Sequence, residues 1–213
     1  MFFDNNITAR TPNQKQYMNS LYHNTITIGA GSAGSGKTLL ALFSALKALK
    51  EKRIKRIYYI RNEVNVDIGS KSRGALPGTL QEKSAHLLLP LMDNLNQIMP
   101  EQISRRYIGN EIQFLYVEDL RGRSLTDCFI ICDETQNLPP HGVLTLLTRL
   151  GENSKVALIG DPAQKDINKK YTCGLTDAIN RLWDLEGVGV IKFNYEDIQR
   201  NEITAEIIKR YAK

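Results

Sequence analysis

The sequence predicts an α/β fold, with one mostly parallel β-sheet flanked by helices. Two observations predict it. Apolar, strand-like runs alternate with segments of helical periodicity. The first of these runs, "TITIGA", passes directly into a glycine-rich loop and then an amphipathic helix. In such sheets ligands bind at the carboxyl ends of the strands, and each chemical motif of this chain follows a strand.

The elements read in order as follows. Residues 1–24 are polar, with a turn signal at Thr11-Pro12-Asn13. After the first strand and its loop, Leu39, Leu42, Phe43 and Leu46 mark one face of a helix from Lys37 to Lys50. "IYYIR" is a second strand, in which Tyr58 and Tyr59 are expected to pack. "NEVNVDIGSKSRGALPG" is loop, broken by Gly69, Gly74, Pro77 and Gly78. "TLQEKSAHLLLPLMDNLNQIM" is helical in pattern but interrupted by Pro90. "NEIQFLYV" is a strand, "RGRSLTD" a loop, and "CFIICDE" an apolar strand ending in acids. "PPHGVLTLLTRLG" opens on proline and closes on glycine, as a short helix does. "SKVALIGD" is a buried strand, "LEGVGVIKF" closes the sheet, and "NEITAEIIKRYAK" is a terminal amphipathic helix. Residues 1–213 read as a single domain without repeat or linker.

Composition narrows the class. With 42% hydrophobic and 24% charged residues, the chain resembles ordinary soluble domains. Its longest apolar run, "AHLLLPLM", is far below the roughly 20 residues of a membrane span. "MFFDNNITAR" lacks the pattern of a secretion signal. No membrane partner is expected, and the expected compartment is the cytoplasm. Cys128, Cys132 and Cys173 lack paired metal spacing and read as core thiols in a reducing compartment. The net charge of +5 permits a polyanionic partner without requiring one.

"GSAGSGKT" has the spacing of a phosphate-binding (Walker A) loop. Gly31, Ser32, Ala33, Gly34, Ser35 and Gly36 turn backbone N–H groups towards an anion, aided by the following helix N-terminus. Lys37 is expected to reach the β- and γ-phosphates, and Thr38 to place its hydroxyl on magnesium. Asp133, ending "FIICDE", suits the same magnesium, and Glu134 suits orienting or deprotonating water. "LIGDPAQ" ends another strand. There the Gln164 amide can donate to a γ-phosphate and accept from the attacking water, although Asp-Pro also simply starts turns.

The ordered set "GSAGSGKT", "DETQ" and "GDPAQ" resembles the first three motifs of superfamily-one helicases. With "TPNQKQY", "GALPGTLQEK", "RGRSLTD", "DETQNLPP", "LLTRLG" and "GDPAQKDI", the order resembles the PhoH family of ATPases from about Thr11 to about Arg200. The resemblance implies a single RecA-like P-loop ATPase core, with ATP and magnesium as ligands and RNA- or DNA-linked hydrolysis. It matches Gln14 to the glutamine that reads adenine. Departures are "DETQN", "YYIRNEV" and a missing aromatic near "GALPG"; no further domain is expected.

Helicases of this kind close ATP between two lobes, and the second lobe supplies arginine. One lobe with a complete motif set predicts a homo-oligomeric ring, a hexamer, in which a neighbour donates the arginine. Arg200, after the last strand, is the first candidate for it; Arg149, Arg121 and Arg123 follow. A ring of this kind is expected to hold single-stranded RNA or DNA through phosphates, with Arg61, Lys71, Arg73, Arg121 and Arg123 as candidate loop contacts. The alternative is an ATP-dependent switch or scaffold for a protein partner. A small-molecule kinase fits less well with the acid pair and Gln164.

Overall fold

Strands with both faces apolar need cover on both sides, and the chain provides it. In the computed structural model, which describes residues 7–61, 80–164 and 172–211, six strands form one sheet. They are β1 (Ile26–Gly31), β2 (Arg56–Arg61), β3 (Ile112–Leu115), β4 (Cys128–Asp133), β5 (Lys155–Gly160) and β6 (Val188–Phe193). The order is β3-β2-β4-β5-β1-β6, and every pairing is parallel.

Alternate residues of each strand enter opposite layers. Phe129, Ile131, Ala157 and Ile159 pack in one core with α1 (Pro12–His23), α2 (Lys37–Lys50), α3 (Leu80–Ile98) and α4 (Glu101–Tyr107). Cys128, Ile130, Cys132, Val156 and Leu158 pack in the other with α5 (Pro140–Leu147) and α6 (Gly174–Leu182). The last helix, α7 (Glu202–Tyr211), follows β6 and leaves Ile203 and Ile207 exposed. All three cysteines are free and buried, and burial pushes the Cys132 thiol up to about 12, as inert core thiols require. Among the described residues no helix is long and apolar enough to cross a membrane.

Three local expectations are corrected. Thr11-Pro12-Asn13 is not a free turn but the start of α1. Thr11 caps the helix by accepting the Gln14 N–H at 3.2 Å, and Pro12 occupies the first turn, where a missing N–H costs little. Pro90 does not interrupt α3, which runs through it. The third strand is only Ile112–Leu115, because Val117 already belongs to a 3-10 turn. Helices α4 and α6 had no clear signal in the sequence.

Candidate nucleotide site

Parallel strands bring all their carboxyl ends to one edge, so β4, β5 and β1, adjacent in the sheet, present their loops side by side. The glycine-rich loop joins β1 to α2. Gly31 has φ 134°, and a Cβ there would stand 2.1 Å from the Phe193 carbonyl oxygen, so only glycine lets β6 approach. Lys37 opens α2 and folds back over the loop. Its Nζ donates to the Gly31 and Ser32 carbonyls at 2.7 and 2.8 Å and to Ser35 Oγ at 3.0 Å. The ammonium also lies 5.6 Å from the Phe193 ring centroid. Burial lowers its pKa to about 8, against the pull of Asp161, Asp133, Glu134 and Asp197.

Across the loop, the Thr38 hydroxyl donates to the two Asp133 oxygens at 3.2 and 3.3 Å. Asp133 ends β4 almost buried, and it also accepts the Tyr59 hydroxyl at 2.7 Å and the Glu134 N–H at 3.1 Å. Burial and the adjacent carboxylate raise the Tyr59 pKa, so Tyr59 stays a donor. Glu134 takes a left-handed backbone with φ 54°, a strained conformation that breaks the strand and turns the carboxylate out of the sheet's register. Its Oε2 accepts from Gln136 Nε2 at 2.6 Å, and its Oε1 lies 3.6 Å from the Arg61 guanidinium. Gln136 continues to the β5 loop: its oxygen accepts the Asp161 N–H at 3.2 Å, and its amide nitrogen lies 3.4 Å from the Gln164 carbonyl. Gln164 is exposed, with its side chain donating to Asp161 at 3.0 Å.

Gln14, Ala33, Gly34, Gln164 and Arg200 line one cleft of about 500 Å³ with Lys37, Thr38 and the acid pair, a volume suited to a nucleotide. Thr38 and Asp133 offer hard oxygen ligands side by side, which fits magnesium. The Gln14 amide is engaged at both ends: its oxygen accepts the Arg10 N–H at 2.7 Å and its nitrogen donates to the Ser35 carbonyl at 3.0 Å. Asp197, after β6, accepts from Thr11 Oγ1, from Asn13 at 2.8 Å and from the Asn194 N–H at 2.9 Å. Burial opposes its charge, but these donors outweigh it and lower the pKa. The segment after it docks on the phosphate loop, where the Gln199 N–H donates to the Gly34 carbonyl at 2.8 Å.

One arginine falls elsewhere than expected. Arg61 is not in a loop facing nucleic acid; it ends β2, and its side chain, 18% exposed, lines the nucleotide cleft. Arg200 lies on its own phosphate loop, with Cγ 3.0 Å from where a Gly34 Cβ would be. It lines this chain's own cleft. Arg149 and Arg123 lie towards the opposite edge: Leu125 donates to the Arg149 carbonyl at 2.8 Å just before β4 and β5 begin, and Arg121 leads into the same segment. Lys71 and Arg73 lie outside the described residues.

Sequence reasoning missed Tyr59, Gln136 and Asp197 as parts of the site. Gln136 had a local signal, its place in "DETQ" beside both acids; the other two act across distant segments.

The PhoH-like protein family matches residues 6–212. A PhoH-like protein of Mycobacterium tuberculosis is 38% identical over 208 residues, covering 97% of this chain and 58% of that protein. One of Bacillus subtilis is 36% identical, covering 97% of this chain and 64% of that protein. The chain thus spans about three fifths of these relatives' length. Among solved structures, a large terminase from a thermophilic bacteriophage, in complex with ADP, superimposes with a TM-score of 0.54 at 14% identity, covering 94% of this chain and 49% of that one. At that identity the likeness is one of fold alone.

Proposed function

The chain belongs to the PhoH-like protein family, and on that premise we propose that it binds and hydrolyses ATP in a manner coupled to single-stranded RNA or DNA. One observation carries the hydrolytic part: Thr38 and Asp133 meet at 3.2 Å, with Glu134 beside them and Gln136 tying Glu134 to the Gln164 loop. Lys37 and the loop N–H groups hold the β- and γ-phosphates. Thr38 and Asp133 hold magnesium, which neutralises charge on the phosphates when bound. Glu134 accepts a proton from the water that attacks the γ-phosphate. Gln164 lines the same cleft, and its amide can donate to the γ-phosphate and so respond to its presence.

Nucleic-acid coupling and helicase or translocase action are supported by the helicase-like order of the motifs and by exposed Arg121 and Arg123. Assembly into a ring, hexameric in form, belongs to the same proposal. Arg149, Arg121 and Arg123, away from the chain's own cleft, are the arginines left for a neighbour. Exposed Ile203 and Ile207, one turn apart on α7, give an apolar face for contact between copies.

The test is steady-state ATPase at low salt, with and without single-stranded RNA and DNA, paired with mass measurement in solution. Stimulation by either polymer and a multimeric mass are expected. Hydrolysis without any stimulation or binding favours the switch or scaffold, and a strictly monomeric, fully active protein removes the ring.

A further inference from the structure

The mechanism above gives no task to the arginines that line the cleft, and one of them, Arg61, stands beside the acid pair. Arg61 ends β2, and its Cα pairs in register with that of Asp133 on β4. Its side chain is mostly buried and lies 3.6 Å from Glu134 Oε1, within ion-pair range but longer than a hydrogen bond. Its Nε is buried and has no hydrogen-bond partner among the described residues. Tyr59, Asp133 and Glu134 hold the guanidinium charged against the effect of burial. Arginine thus stands in the cleft charged, with an unmet donor, and attached to the catalytic acid by charge alone.

Such a group is suited to change partners. A terminal phosphate carries more charge than a carboxylate and presents oxygens that match the planar fork of N–H donors. We propose that Arg61 is a γ-phosphate ligand supplied by the chain itself. Without nucleotide it neutralises Glu134. With ATP its fork turns to a γ-phosphate oxygen and leaves Glu134 free to act as base. Water oxygen then bonds to the γ-phosphorus, its proton passes to Glu134, and the bond to the β–γ bridging oxygen breaks with its electron pair leaving on ADP. ADP lacks the γ-phosphate, so Arg61 stays on Glu134 and the site rests. Arg200 is less suited to this task, because it is exposed and sits at Gly34 on the loop, whereas Arg61 stands beside the acid. The inference rests on the ATP-hydrolysing reading and deepens it.

The experiment compares wild type with Arg61→Ala and Arg61→Lys, without nucleic acid. It measures equilibrium binding of ADP and of a non-hydrolysable ATP analogue with magnesium, and steady-state ATPase. For Arg61→Ala, ADP affinity is expected within about twofold of wild type, with analogue affinity down about tenfold or more and kcat down about 10³-fold. Arg61→Lys keeps a charge but not the fork, and is expected in between. Equal loss of both nucleotides, or an unchanged analogue-to-ADP ratio, would overturn the assignment. If Arg61→Ala does not fold, the same ratio in Arg61→Lys decides it. Wild type that binds nucleotide and hydrolyses no ATP with or without single-stranded RNA or DNA sinks the underlying reading instead, and the two failures are distinct.

Discussion

Gln136 Nε2 donates to Glu134 Oε2 at 2.6 Å. The amide is 1% exposed and also reaches the β5 loop, so the position of Glu134 depends on the loop that carries Gln164. Gly160 makes this possible, since a Cβ there would stand 2.2 Å from Gln136 Oε1. Losing a hydrogen bond to a charged group costs about 1.5–3 kcal/mol. Gln136→Ala is therefore expected to lower kcat about ten- to hundredfold with KM changed by no more than about threefold. Gly160→Ala, which displaces the same amide, is expected to share that pattern. A raised KM with normal kcat in both would mean that Gln136 does not position Glu134.

The Tyr59 hydroxyl supports Asp133 from within the core. Because Tyr59 is fully buried beside a carboxylate, its pKa is raised and its hydroxyl stays a donor to Asp133. Tyr59→Phe leaves the carboxylate with Thr38 and the Glu134 N–H as donors. The magnesium concentration for half-maximal hydrolysis should rise, because Asp133 is less firmly aimed. Stability should fall by about 1–3 kcal/mol, and the melting temperature by roughly 2–4 °C per kcal/mol. A magnesium titration identical to wild type would show that Thr38 alone aligns the aspartate.

Lys37 gives the site a pH dependence with a definite sign. Burial places its pKa at about 8 in the free protein. Bound polyphosphate favours the charged lysine and raises that value. Nucleotide binding should be flat with pH below about 8, then weaken by up to about tenfold per unit as pH rises above it. Titration of ADP affinity from pH 7 to 9.5 at constant salt checks this, and a flat profile contradicts it. Stability moves the other way. Since the pKa is depressed from 10.5, the cost of the buried ammonium is complete below 8 and is relieved as pH rises towards 10.5.

The parts of the site that sequence revealed are those specified by adjacent residues. The loop from Gly31 to Thr38 and the acids at Asp133 and Glu134 are read from spacing because a strand end and a helix start fix their geometry. The sheet was legible for the same reason: both faces of each inner strand are apolar. The connections were not legible. Tyr59 meets Asp133 across 74 residues and Asn13 meets Asp197 across 184, and neither leaves a local pattern. The first helix escaped because its inward face includes the polar Gln14 and Ser20 as well as Tyr17 and Leu21, so its periodicity is hidden. Arg61 closes the run "IYYIR", yet it was grouped with the loop cations because a cation at a strand end does not reveal from sequence which partner it meets; Glu134, which it faces, lies 73 residues away.

Gln14 has a second task open to it beside the one that the resemblance implies. The resemblance gives it the reading of adenine, for which its amide must donate and accept against the base. Here the same two groups bind Arg10 and the Ser35 carbonyl, and the side chain is 3% exposed. The helix that carries it is anchored by Thr11 and Asn13 on Asp197. These contacts suit Gln14 to act as a strut between the helix start and the phosphate loop, next to Gly36, where an added Cβ would stand 3.3 Å from its nitrogen. A strut acts on any nucleotide that uses the loop, whereas a base reader acts on adenine alone. Gln14→Ala is accordingly expected to weaken ATP and GTP by similar factors, with their affinity ratio changed by no more than about threefold, well below one 1.4 kcal/mol tenfold step. Asp197→Asn should weaken both in the same proportion by loosening the anchor. A selective loss of ATP in Gln14→Ala, with GTP unaffected, would establish that the amide leaves Arg10 and Ser35 to read the base.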